Sequence, residues 1–175
     1  MRKIRNEELD RLTVEEYKKS EKNKITIVLD NVRSLQNVGS AFRTADAFRI
    51  EQILLCGITG QPPHRDITRS ALGATESVNW SYQHDCLTAV QALQQSGWKV
   101  FAIEQVQAAT LLQNFNHNQE ERVAFVFGHE VKGVAQHVVD ACDGSIEIPQ
   151  FGSKHSLNIS VSVGIVLWHT LAQTL

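Results

Sequence analysis

Cysteine is scarce in this chain of 175 residues, with three in all, at positions 56, 86 and 142. An odd, dispersed set with no CxxC pair excludes a disulfide framework and a zinc ribbon, and reads as free thiols in a reducing cytoplasm. No apolar run reaches the ~18 residues of a membrane span, and the opening MRKIRNEELD lacks a signal peptide's apolar stretch. An excess of one charge is missing too. Seventeen Lys and Arg stand against nineteen Asp and Glu, a net charge of −2, which argues against a dedicated basic nucleic-acid module. With 42% apolar and 21% charged residues, the composition excludes a disordered, collagen-like or coiled-coil chain. One domain of this length buries roughly 70% of its unfolded surface and needs neither disulfide nor metal to close its core.

The common cofactor and catalytic signatures are also absent. No GxGxxG follows any apolar run, so the Rossmann glycine loop is missing. GHEVKG (128–133) sets two glycines at P-loop spacing, but Val134 and Ala135 stand where Lys and Ser or Thr are required. His129-Glu130 begins like a zincin helix, yet position 133 is Gly133. No GxSxG elbow occurs, and seven scattered histidines show no ligand spacing, so no metal is expected.

What is present alternates. Residues 7–19 have the pattern of an amphipathic helix with Leu9, Leu12 and Tyr17 inward. Strands are expected over 25–30, 52–57, 78–83, 99–104, 123–128 and 145–149, with helices over 38–49, 87–95 and 134–141. The stretch 59–77 reads as a polar, proline-containing connection, and 111–115 as a turn or short helix. Short strands alternating with helices specify an α/β fold with a parallel sheet flanked by helices. The last segment, SLNISVSVGIVLWHTLAQTL, reads as a helix with Ser156 as N-cap, apolar around most of its circumference and therefore covered on more than one side. Between Ile25 and Gly97 every basic residue is arginine, namely Arg33, Arg43, Arg49, Arg65 and Arg69. Such a bias suits planar contacts to phosphate.

Three stretches carry the chemistry. In the first, Asn37 is placed to cap a helix from Val38, while Gly39 and Arg43 share one face, the glycine leaving a gap for a ligand backbone and the arginine above it. In the second, FVFGHEVKGV, a buried strand runs into Gly128, Glu130 and Gly133. In the third, a strand ends at Ile148-Pro149 and a glycine loop leads to Ser156, Leu157 and Asn158. Taken singly, each is also what an ordinary strand–turn–helix connection contains.

Together they resemble the three motifs of the SpoU/TrmH class of SPOUT RNA methyltransferases: NxGxxxRxA (Asn37, Gly39, Arg43, Ala45), GxExxG (Gly128, Glu130, Gly133) and IPxxGxxxSLNxSV (Ile148 to Val161). Arg69-Ser-Ala-Leu-Gly-Ala74 is similar to the class's basic stretch before a Gly-Ala pair. Order and spacing agree over residues 25–170. The resemblance implies a C-terminal trefoil knot, with residues 1–22 a helical extension and 23–175 the SPOUT domain. It implies S-adenosyl-L-methionine held by backbone groups at Gly128, Ile148 and Leu157, and methyl transfer to a ribose 2′-hydroxyl of tRNA or rRNA. Arg43, Asn37, Glu130, Ser156 and Asn158 would be catalytic, with Asn37 and Asn158 positioning Arg43 and the ribose, and Glu130 orienting Arg43 or the substrate. Guanidinium groups keep their proton in proteins, so Arg43 is read as a cation holding phosphate rather than as a base. Arg33, Arg65 and Arg69 would bind RNA, and a homodimer would bury the last helix. Two departures stand out: Gln150 where methionine is common, and Trp168-His169 in place of the usual Tyr-Glu. The competing expectations are a non-catalytic knotted RNA-binding or assembly protein, and a methyltransferase acting on a nucleobase or a protein.

Overall fold

The apolar runs form the interior of one sheet. In the computed structural model, which describes residues 1–173, the strands are β1 (Asn23–Asp30), β2 (Ile50–Cys56), β3 (Trp80–Gln83), β4 (Trp98–Ile103), β5 (Thr110–Leu111), β6 (Arg122–Phe127) and β7 (Gly144–Glu147). They lie in the order β3-β2-β1-β6-β4-β7-β5. Every pairing is parallel, with Ile27 opposite Ile53 on one side and Phe125 on the other.

Both faces are buried, and the period of two sorts the side chains between them. Ile27, Leu29, Ile53, Leu55, Phe125 and Phe127 point to one face. It is covered by α1 (Val14–Lys19), α2 (Leu35–Ala47), α3 (Arg65–Ala71), α4 (Ala74–Ser77) and α7 (Ile159–Ala172). Val28, Leu54, Val100, Ala124 and Val126 point to the other, under α5 (Cys86–Gln95) and α6 (Gln136–Val139). The expected α/β fold with a parallel, helix-flanked sheet is therefore the observed one. Strands β1 to β3 step outward in one direction, and β6 then inserts between β1 and β4. Such a reversal opens a crevice beyond the carboxyl ends of the strands.

Several local expectations are overturned. The N-terminal segment is not one helix. A 3-10 turn covers Asn6–Glu8, and α1 starts only after Thr13, whose side chain and Glu16 form a reciprocal capping box. Tyr17 is buried as expected, but Leu12 is exposed and Leu9 only half-buried. The polar connection holds two helices, α3 and α4, the first capped by the His64 ring accepting from the Asp66 amide at 3.2 Å. The helix expected over 134–141 shrinks to α6, because the Val134 amide donates to Glu104 at 2.9 Å and Ala135 stays extended. Ser34, not Asn37, caps α2, and Asn158, not Ser156, caps α7.

Candidate active site

The turn after β1 delivers α2 with its first amides unpaired, as every helix does. Ser34 takes up the Asn37 and Val38 amides, and Glu130, from the loop after β6, anchors the two residues that lead into the helix. Its carboxylate accepts from the amides of Arg33 (3.0 Å) and Ser34 (2.9 Å), and from Asn37 Nδ2 (3.2 Å). Burial by itself raises the Glu130 carboxyl, but these donors outweigh it and hold it below the usual glutamate range. A carboxylate at a helix N-terminus is further favoured by the helix dipole.

Since Asn37 sits inside α2 rather than at its cap, its side chain is free to bridge. Nδ2 must face the acceptor-only carboxylate, so Oδ1 faces outward and accepts from Asn158 Nδ2 at 3.2 Å. Asn158 is fixed in turn, because its Oδ1 accepts from the Ser160 amide (2.9 Å) and hydroxyl (2.6 Å) while capping α7. One relay, Glu130 to Asn37 to Asn158, ties together all three motifs.

The GHEVKG turn is shaped by its glycines. A Cβ on Gly128 would stand 2.2 Å from the Gly133 carbonyl carbon and the Val134 nitrogen. Gly133 has φ +66°, and a Cβ there would meet Glu104 Oε2 at 2.0 Å. Within the turn, His129 and Gly133 exchange backbone hydrogen bonds, and His129 Nδ1 accepts from the amides of Val131 (3.0 Å) and Lys132 (3.3 Å). Glu104 accepts from Gln105 and Val134, both at 2.9 Å. Sequence reasoning missed Glu104. Its position at the carboxyl end of a buried strand was the available signal.

Between this turn and the segment after β7 lies a cavity of about 290 Å³. Its wall includes Gly128, Glu130, Ile148, Ser156 and Leu157 among the residues singled out from sequence, together with Glu104, Lys132, Gln150 and His155. Asn37 and Asn158 are not on the wall but are joined to it through Glu130. Ser156 makes no hydrogen bond among the described residues.

Arg43 is exposed on α2 and forms no ion pair among the described residues. Glu130 faces the helix start and makes no bond to Arg43, so its contact is with Asn37. The gap expected over Gly39 is filled by the protein itself: a Cβ there would stand 2.0 Å from Ser70 Oγ and 2.4 Å from the Ile67 carbonyl oxygen. Gly39 thus lets α3 pack closely on α2, and so brings the exposed Arg65 and Arg69 of α3 beside the helix that carries Arg43. Arg33 lies at the start of the same helix, its amide on Glu130. Among the described residues no group of three or more His, Cys, Asp or Glu is placed to hold a metal ion.

The pattern of the SpoU rRNA methylase family matches residues 24–168. The chain belongs to this SpoU family. Among relatives, it is 26% identical over 149 residues to the 23S rRNA (guanosine-2′-O-)-methyltransferase RlmB of Neisseria meningitidis, covering 85% of this chain and 58% of that one. It is 27% identical over 168 residues to the tRNA (guanosine(18)-2′-O)-methyltransferase of Thermus thermophilus, covering 96% of this chain and 84% of that protein. The AdoMet-bound rRNA methyltransferase of Sinorhizobium meliloti overlays with a TM-score of 0.81 at 23% identity, over 89% of this chain and 58% of that one, a likeness of fold. The SpoU chain thus spans little more than half the length of two of these proteins.

Proposed function

We propose that this SpoU chain is an S-adenosylmethionine-dependent methyltransferase acting on a ribose 2′-hydroxyl of tRNA or rRNA. The observation that carries the reading is the relay from Glu130 through Asn37 to Asn158, which ties the first motif to the two that line the cavity. The relatives named for guanosine 2′-O-methylation support it.

The residues present fit the cofactor. Phe127, Ile148, Leu157 and Ile159 give the cavity apolar wall. Residues 149–156 make no hydrogen bond within the chain among the described residues, which leaves their backbone groups for a ligand. Gly128, Ile148 and Leu157 would hold it. When bound, S-adenosylmethionine supplies a methyl group on a cationic sulfur, whose bonding electrons stay on sulfur as a neutral thioether when the methyl passes to the 2′-oxygen.

The chain's own work is then alignment and charge. Asn37 and Asn158 fix the α2 and α7 starts relative to the cavity. Glu130 anchors α2, and Ser156 presents a free hydroxyl at the wall. Arg43 holds the substrate phosphate and stabilises the alkoxide that develops as the 2′-proton passes to solvent, while Arg33, Arg65 and Arg69 add phosphate contacts. Because sulfur leaves without Lewis-acid help, no metal is assigned.

Assembly follows from α7. Val161, Ile165 and Trp168 are exposed on one face, and a Cβ on Gly164 would meet nothing within 4 Å. A groove lined by Ile165, Trp168, Leu112 and Ile148 runs along that face, and Ile148 also lines the cofactor cavity. A second copy of the chain is the proposed cover, which puts the site at a homodimer interface. We further assign the trefoil knot to the segment after β7, residues 1–22 to a helical extension whose Tyr17 packs into the core of the 23–175 domain, and the chain to the cytoplasm. No helix of the described residues is long and apolar enough to cross a membrane.

Titration calorimetry tests the cofactor assignment. Binding of S-adenosylmethionine is expected, and its loss in Gly128→Val, whose side chain would collide with Gly133. A wild-type protein that takes no cofactor would favour the non-catalytic RNA-binding reading.

A further inference from the structure

Phe151 stands in water beside the cavity. Apart from Met1, no large apolar side chain among the described residues is more exposed, and its fractional exposure is 97%. An isolated phenyl ring in that position forfeits the favourable burial a core would give it. Its surroundings are polar and of mixed charge, with Lys132 on the wall beside Glu104 and Glu130, whose carboxylates are taken up by backbone amides. Phe151 follows Gln150, a wall residue, and precedes the segment whose His155 and Ser156 return to the same wall. Across the cavity the GHEVKG turn presents Lys132, and next to it Val131, 82% exposed. Lys132 and Lys154 are exposed and form no ion pair among the described residues.

An open aromatic face and cations without ion pairs are what a splayed-out nucleotide engages, through base and phosphate respectively. A second copy of the chain is a poorer match for this spot, since the apolar groove along α7 does not include Phe151. We infer that Phe151 is a stacking platform for the base of the nucleotide whose ribose enters the cavity, with Lys132 and Lys154 holding its flanking phosphates. The glycosidic bond joins base to ribose directly, so a ribose at the wall carries its base into reach of a residue one position from that wall. Stacking reads a π-face common to all bases, so the platform positions the nucleotide without selecting its identity. This inference rests on the RNA-methyltransferase reading, and its test separates the two.

The measurement is fluorescence anisotropy with labelled oligoadenylate and an abasic ribose-phosphate oligomer of the same length, on wild type, Phe151→Ala, Phe151→Tyr and Phe151→Leu. Light scattering on each variant accompanies it. Phe151→Ala is expected to weaken oligoadenylate about 5- to 100-fold and leave the abasic oligomer unchanged. Phe151→Tyr keeps wild-type affinity, and Phe151→Leu does not. Equal affinity of Phe151→Ala and wild type, equal loss on both oligomers, full rescue by leucine, no binding of oligoadenylate by wild type, or dissociation of the Phe151→Ala protein would each overturn the platform. Base-dependent binding through Phe151 in a protein that transfers no methyl group would sink the enzyme reading and leave the platform standing. Unimpaired methylation by Phe151→Ala would do the reverse.

Discussion

Asn158 donates to Asn37 at 3.2 Å across 121 residues of chain, and neither amide is free to turn round. The Glu130 carboxylate fixes the donor end of Asn37, and the Ser160 amide fixes the acceptor end of Asn158. Cap and relay are separable by mutation. Aspartate caps a helix about as well as asparagine but cannot donate to Asn37. Asn158→Asp is therefore expected to cost about 1 kcal/mol, the worth of one hydrogen bond, and Asn158→Ala about 2 kcal/mol, from loss of both. Urea denaturation measures both. An Asn158→Asp variant as stable as wild type would mean the contact with Asn37 contributes nothing, and equal costs for the two variants would mean the same of the cap.

The lowered Glu130 carboxyl has a pH consequence with a definite sign. A group whose value falls on folding stabilises the protein above its ordinary value, about 4.3 for glutamate, and that contribution fades as pH drops through the folded value. Wild type should exceed Glu130→Gln in urea midpoint at neutral pH, with the gap closing below about pH 4. A gap that stays constant into acid would remove the charged hydrogen bonds at the start of α2.

How much of this was legible from sequence follows the range of each interaction. Strand β6 was readable because VAFVF is buried on both faces, which leaves only apolar residues to choose from. Helix α3 was not, since Pro62-Pro63 and the polar residues after it look like a loop until His64 turns its ring to cap Asp66. The caps misled for a related reason. Asn37 and Ser156 are good capping residues by type, but Ser34 and Asn158 hold those places, and Asn37 is used instead for a partner remote in sequence. Gly128, Ile148 and Leu157 came from the family resemblance, and all three line the cavity. Glu104 and the α3 surface over Gly39 depend on tertiary contacts that no local pattern carries.

Gly39 gives a packing test. A methyl group there overlaps Ser70 Oγ, which can rotate, and the Ile67 carbonyl, which cannot. Gly39→Ala should destabilise by about 1–3 kcal/mol as an overpacked contact, and adding Ser70→Ala should restore only part of it. Thermal unfolding of the two variants decides the point, and full restoration would show that α3 moves freely.

RNA affinity should reside in a local patch, because net charge is −2. Each phosphate neutralised adds about 0.7–0.9 to the slope of log K against log salt, so Arg65→Ala with Arg69→Ala should lower that slope by roughly 1.4–1.8. Binding of a transfer RNA pool measured across a salt series supplies the slope, and an unchanged slope removes both arginines from the interface.

For the dimer, Gly164 is the informative position. Since its Cβ direction is open, Gly164→Phe should leave the protomer's fold intact while blocking close approach of a second α7. Light scattering is expected to show a dimer for wild type and a monomer for the variant. A fully active wild-type monomer would contradict the shared interface.

The most direct measurement follows a labelled methyl group. Wild-type protein is incubated with methyl-labelled S-adenosylmethionine and an RNA pool from cells lacking this enzyme, and the RNA is digested to nucleosides. Label is expected on the ribose 2′-oxygen of one nucleoside, abolished in Arg43→Ala while that variant still binds cofactor. Label on a nucleobase, label on protein, or undiminished transfer by Arg43→Ala would contradict the mechanism built around this cavity.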